Sequence, residues 1–422
     1  MFSLDNSRIK LLSIFTVAVF FVLLAAETSN AIPTFSRKYQ TSCSTCHYAF
    51  PMLNAFGTAF KNNGYRYPGG DENYRKEEPV SLGAEGYKKV WPDAIWPADI
   101  PGSSTFSIQT IGRINYAAMG NVKWGFEIPH EVEVFYAATI GEDFSIFGEI
   151  EIENENNETE IAFPFAFQYD NSPLLHVRIG MVNPDPTPNP HRLTRNHYNI
   201  ASFKTRNDWR YRDENLGIEV WGAKNSEGDR GGFTYRLGVT NGQGITDNNS
   251  AKDIYGLLSY KIGGLGVTGG TEGSQSETSQ FYIDNSLTLG GFFYKGTASK
   301  TGSADEDFTL YGGNVEFWYD RFIANAALMM ANSDIVNKAS RKSLVYYLQG
   351  NYVFFPWLIG LARYEWEDKD TDSDLVKPVN AIIPGITVMV RANVKFVLEF
   401  KKFLDDANEK KDTFVLQINL GI

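Results

Sequence analysis

Ser343 to Phe355 reads SLVYYLQGNYVFF, and Thr413 to Ile422 reads TFVLQINLGI. In both, one set of alternate residues is apolar or aromatic apart from a single glycine, and the other set mixes in Ser, Thr, Gln and Asn. That is the period-two pattern of a strand whose two faces meet different surroundings. FSIFGEIEIE (Phe144 to Glu153), NLGIEVWGA (Asn215 to Ala223) and GGFTYRLGVTNG (Gly231 to Gly242) repeat it, separated by polar, Gly-rich or acidic turns. From about Thr105 to Ile422 no helical period of comparable length interrupts the series. The segments number about 16 or 17, and a single-chain bacterial barrel has an even number of strands, so the expectation is an antiparallel outer-membrane β-barrel of about 16. A soluble sandwich would have to repeat its domain to fill over 300 residues, and no propeller-blade repeat is present. Phe414, Leu416, Ile418, Leu420 and Ile422 share one face, as a closing lipid-facing strand requires.

Composition agrees with a membrane-embedded, mainly β chain. Glycine is frequent (38 residues), aromatics reach 14 %, and the net charge of −11 makes a nucleic-acid partner unfavourable. At the N-terminus Arg8 and Lys10 precede an uncharged run, Leu11 to Ala26, and Ser29-Asn30-Ala31 supplies small residues for a signal peptidase. A membrane anchor, the competing reading, needs about 20 apolar residues. Export through the Sec pathway to the outer membrane follows, with residues 1–31 as signal peptide, 32–103 as a small helical haem segment and 104–422 as the porin-like barrel.

That haem segment rests on Cys43-Ser44-Thr45-Cys46-His47, which holds the chain's only two cysteines. In C-x-x-C-H the two thiols bond the vinyl groups of one haem c and the following imidazole becomes the proximal iron ligand. A zinc half-site would want two more Cys or His nearby, and none lies between Tyr48 and Thr105; a thioredoxin-like pair would want a βαβ setting, which is absent. Pro51 suits the first turn of a following helix, Leu53, Phe56 and Phe60 recur on one face, and Asn62-Asn63-Gly64 ends it. The stripe is either a core face or a cover for the porphyrin. Met52 is a distal-ligand candidate, but the short chain from His47 would have to pass taut around the macrocycle, so packing is the plainer reading.

One connection is unusually long: NPDPTPNPHRLTRNHYNIASFKTRNDWRYRD, Asn183 to Asp213. Loops of this length are functional or disordered, and in sixteen-stranded porins the loop in this place folds into the lumen. It carries His191 and His197, further distal-ligand candidates, and from His191 to Arg212 it sets Arg192, Arg195, Lys204, Arg206, Arg210 and Arg212 against Asp208 alone. Such a cluster invites haem propionates or anionic solutes, or else is a solvated loop. His130 and His176 fall in strand-like segments as lumen or interface residues. The acidic runs Glu151 to Glu160, Glu367 to Asp374 and Asp405 to Asp412 read as solvated turns. Asp370, Asp372 and Asp374 mimic a calcium loop, but Leu375 and Ala381 stand where Gly and Glu are needed.

The stretch Ile32 to Tyr65, IPTFSRKYQTSCSTCHYAFPMLNAFGTAFKNNGY, resembles the N-terminus of the fused monohaem cytochrome–porins of iron-oxidising bacteria. Beyond the haem motif, the resemblance is carried by Phe50, Pro51, Leu53, Asn54, Phe56, Gly57, Phe60, Lys61, Gly64 and Tyr65. It implies a haem plug at or in the periplasmic mouth of the barrel, taking electrons from extracellular Fe(II) and passing them to periplasmic carriers. The expected function is therefore outer-membrane electron transfer, with an extracellular donor or acceptor and a periplasmic c-type cytochrome or other carrier as partners. One porphyrin is shorter than the roughly 30 Å hydrocarbon layer, so the pore must bring the outer reactant inward. The alternatives are an anion-selective porin with an accessory haem, and a haem peroxidase with an open sixth position.

Overall fold

The computed structural model describes residues 34–95, 97–100, 105–117, 123–155, 158–185, 200, 215–242, 244, 247, 249–270, 282–299, 303–405 and 411–421. The signal segment, His191, His197 and the basic cluster of 191–212 lie outside them.

A plug precedes the barrel. It comprises α1 (Thr34–Tyr39), a 3-10 turn at Cys43–Thr45, a two-stranded hairpin of β1 (His47–Ala49) and β2 (Met52–Leu53), α2 (Ala55–Asn62), α3 (Asp71–Tyr74) and α4 (Ala84–Val90). The barrel strands follow in order: β3 (Phe106–Ala117), β4 (Trp124–Ile140), β5 (Phe144–Glu155), β6 (Glu158–Ala162), β7 (Phe165–Ser172), β8 (Leu175–Val182), β9 (Asn215–Asn225), β10 (Gly232–Thr240) and β11 (Asp253–Gly263). β12 (Ser286–Ala298), β13 (Glu306–Tyr319), β14 (Phe322–Ile335), β15 (Arg341–Phe355), β16 (Leu358–Asp368), β17 (Val379–Arg391), β18 (Val394–Phe403) and β19 (Thr413–Gly421) complete it.

All barrel pairings are antiparallel, and β19 closes on β3 with Leu416 opposite Ile114. β6 and β7 both pair with β5, one along each half, because Phe163 and Pro164 interrupt a single stave. Counting that pair once gives the closed sixteen-stranded barrel that the alternation predicts.

Side-chain alternation sorts the two surfaces. Along β15, Val345, Tyr347, Gln349, Asn351 and Val353 are buried inward, while Leu348, Tyr352 and Phe354 are exposed outward. Phe165, Phe167 and Tyr169 on β7 likewise face out. Aromatic pairs lie near each rim: Phe317 with Tyr319 and Phe355 with Trp357 at one end, Tyr116 with Trp124 and Tyr346 with Trp366 at the other. An apolar exterior bounded by two aromatic belts is a lipid-facing surface, so the barrel is membrane-embedded. Among the described residues no helix is long and apolar enough to cross a bilayer.

The two ends also differ in their connections. At one, the links 173–174, 320–321, 356–357 and 392–393 are two-residue turns, with 264–285 between β11 and β12 the long exception; at the other, 156–157 is short but the links lengthen to 183–214 between β8 and β9. The chain enters β3 at the short-turn end, and the plug sits in that mouth.

Candidate functional site

Asn54 shapes the motif. Its carboxamide oxygen accepts from the Gly57 amide (2.8 Å) as the N-cap of α2, and its Nδ2 donates to the Ser44 and Thr45 carbonyls (3.2 and 3.0 Å). One side chain thus starts the helix and ties it to the cysteine turn. The helix begins here rather than at Pro51, as the sequence reading had it. Pro51 instead occupies the turn of the β1–β2 hairpin, where the Phe50–Pro51 bond is cis and Ala49 pairs with Met52.

α2 lies hard against the motif. A Cβ on Gly57 would stand 2.0 Å from the Cys46 carbonyl oxygen. Phe56 and Phe60 face Tyr39 and Tyr67, with Phe35 and Tyr65 at the margin. The aromatic stripe is the core face of the plug.

Both thiols are free, and withdrawal from solvent pushes Cys46 up to about 12 and Cys43 upward. His47 lies across the hairpin from Leu53, with Nδ1 3.2 Å from the Pro51 carbonyl. Burial in the mouth lowers its pKa to about 4, leaving the imidazole neutral. Nδ1 on a carbonyl fixes the tautomer in which Nε2 carries the lone pair, the arrangement of a metal-ligating histidine. Two thiols on one turn followed by an oriented neutral imidazole fit a covalent haem c.

Met52 is 1 % exposed and packs with Tyr48 and Ala49 against Trp318, Ile323 and Val353 of the wall. Its thioether is occupied in packing.

The plug spans the mouth. On one side Tyr48 meets Trp318 edge to face, and Lys395 donates to the Phe50 carbonyl. On the other, Asn62 and Asn63 donate to the Val267 and Thr268 carbonyls (both 2.7 Å). Arg66 donates to Asp170 (2.9 Å), which also meets His176 Nδ1 (2.7 Å) and Gln168 Nε2 (2.6 Å). His176 Nε2 lies 3.1 Å from the Asn62 carbonyl, and its ring stacks on Trp221. Gly64, at φ 66°, runs directly over the Asp170 carboxylate, where any Cβ would collide. His176 is therefore an interface residue between plug and wall. His130, on β4, lies between Glu127 and Glu153 (3.0 Å each) on the lumen wall.

Sequence reading missed this latch because its members come from the plug, β7 and β8. The available signal was the alternation that turns Gln168 and Asp170 inward. Arg178, Glu219 and Arg236 line a lumen cavity beside α2 together with Lys61, and this grouping escaped notice for the same reason. Ile200, the one described residue of 186–214, is buried with Val182, Tyr255 and Tyr294 on the inner wall.

Among solved structures the chain is similar to a loop-deletion mutant of the Vibrio cholerae outer-membrane protein OmpT, at TM-score 0.53 and 11 % identity, covering 75 % of this chain and 98 % of that one. It is also similar to OmpT expressed in the outer membrane (TM-score 0.51, 10 % identity, 78 % and 99 % coverage). A third likeness is to an anion-selective porin from Comamonas acidovorans (TM-score 0.50, 13 % identity, 75 % and 98 % coverage). These likenesses establish the porin-type barrel fold. No protein-family model matches the chain, and no curated protein matches it.

Proposed function

We propose that the chain is an outer-membrane electron-transfer protein whose Cys43, Cys46 and His47 hold a single covalent haem c in the periplasmic mouth of the barrel. The supporting observation is position: the C-x-x-C-H turn lies within a plug that closes the short-turn end, the periplasmic end of bacterial barrels. Bound there, the haem would supply one-electron exchange between ferrous and ferric iron. The chain's own residues do the rest. The Pro51 carbonyl orients His47, Asn54 and Gly57 seat α2 on the cysteine turn, and the contacts of Tyr48, Arg66 and Asn62 fix the plug across the lumen. The wall keeps lipid away, and the open end admits an extracellular donor or acceptor, Fe(II) among them. A periplasmic c-type cytochrome or similar carrier would meet the plug from the other side.

The test is expression of the full chain with c-type maturation, haem staining in gel, and reconstitution in liposomes with Fe(II) added outside. Covalent haem that is absent in Cys43→Ala/Cys46→Ala, and an α-band that rises rapidly with Fe(II), would support the reading. A folded barrel without covalent haem would refute it; haem reduced by dithionite but not by Fe(II) would remove iron as the reactant.

A second reading is an anion-selective porin with an accessory haem. The cationic groups on the lumen wall favour it, as does the barrel shared with a porin described as anion-selective. A large ohmic anion current through the intact chain in planar bilayers would support it, and the seated plug argues against it.

A further inference from the structure

Between α2 and the wall formed by β8 to β10 lies a cavity of about 110 Å³. One water needs about 10–15 Å³ of such space, so there is room for several waters or one small solute. Lys61 enters it from the plug, and Arg178 and Arg236 from the wall. Both guanidiniums share one carboxylate: Glu219, 1 % exposed, lies 2.7 Å from Arg236 Nη2 and 3.5 Å from Arg178 Nη1, and also accepts from the Tyr255 hydroxyl (2.6 Å). Gln168 Oε1 accepts from the far side of Arg178 (2.9 Å), and the Asn183 carbonyl accepts from Arg236 Nη2 (2.7 Å), the nitrogen that also meets Glu219. Glu219 is thereby committed, and the Lys61 ammonium has no hydrogen-bond or ion-pair partner among the described residues.

Across the cavity Lys261 is closed on Asp284 (2.8 Å), and Glu316 lines the β13 side. Asp185 also acts on Lys61, with Glu219, against the two arginines. Lys61, Arg178 and Arg236 thus share this space with Glu219, Asp185 and Glu316; with Glu219 taken up by the two guanidiniums and Tyr255, the Lys61 ammonium is the donor left for an added anion.

We propose that this cavity is an oxyanion site in which Lys61, Arg178 and Arg236 bind one carboxylate or phosphate group. Guanidiniums fixed by neighbours, next to a flexible ammonium, are a preorganised donor set for such a group. The anion can be a free solute in the lumen or a propionate of the chain's own haem. The site itself rests on the geometry of the cavity and not on haem attachment.

The experiment uses the full chain in detergent, matured with haem and as Cys43→Ala/Cys46→Ala, titrated with inorganic phosphate by calorimetry. Binding in both forms identifies a site for free anions. Binding only in the form without haem identifies the propionate as occupant. In either case Lys61→Met should weaken phosphate at least about tenfold, and Lys61→Arg should restore it. Gel mobility before and after heating confirms that each variant is folded. Absence of phosphate binding in both forms, or equal binding in folded Lys61→Met, would overturn the proposal.

Discussion

Gly57→Ala places a methyl 2.0 Å from the Cys46 carbonyl oxygen and 2.8 Å from its carbonyl carbon. Both neighbours are backbone, so no side chain can swing aside. To reach ordinary contact α2 must retreat from the cysteine turn by more than about 1 Å, stretching the Asn54 bonds to Ser44 and Thr45. Overpacking of this kind costs about 1–3 kcal/mol. The assay is maleimide labelling of Cys43, which is 8 % exposed, in chain made without haem maturation. If labelling requires the plug to open, a loss of about 1–3 kcal/mol raises the rate about 5- to 150-fold. Gly86→Ala is the control: its Cβ meets nothing within 4 Å, and it sits in α4, where alanine is the better helix former. A labelling rate in Gly57→Ala within twofold of the parent chain would refute the claim that α2 clamps the motif.

Asp170→Ala leaves Arg66 and His176 without their shared carboxylate; the plug should be destabilised by about 3–5 kcal/mol, seen as raised conductance in planar bilayers. Asn54→Ala removes the α2 cap and should cost about 1–2 kcal/mol, read as faster amide exchange across residues 55–62. Burial and the nearby Arg236 and Arg178 lower Lys61 to about 8, with Glu219 and Asp185 opposing. The unfolded chain therefore holds more protons above that value. Stability should rise as pH climbs from about 8 towards the free-lysine value, and Lys61→Met should abolish that rise in denaturant titrations at fixed salt.

The barrel was legible because lipid on one side and the lumen on the other impose a strict alternation, as in 343–355 and 413–421. The strand count of 16 or 17 was ambiguous for a physical reason: Phe163-Pro164 splits one stave into two readable halves. Pro51 misled because proline suits a helix start and a hairpin turn equally, and only the capping geometry of Asn54 decides between them. The C-x-x-C-H turn is local, so its spacing could be read directly. The latch and the oxyanion cavity could not, since Lys61, Asp170, Arg178 and Arg236 meet only when the barrel closes around the plug.

The seated plug sets an order of manufacture. It touches β13 and β18 on one side and β7 and β8 on the other, and its chain runs straight into β3, which must then pair with β19 to seal the wall. A plug so gripped is enclosed as the wall curls shut. The Cys43 thiol, 8 % exposed once the plug is seated, is most open to a reagent while the strands are still apart.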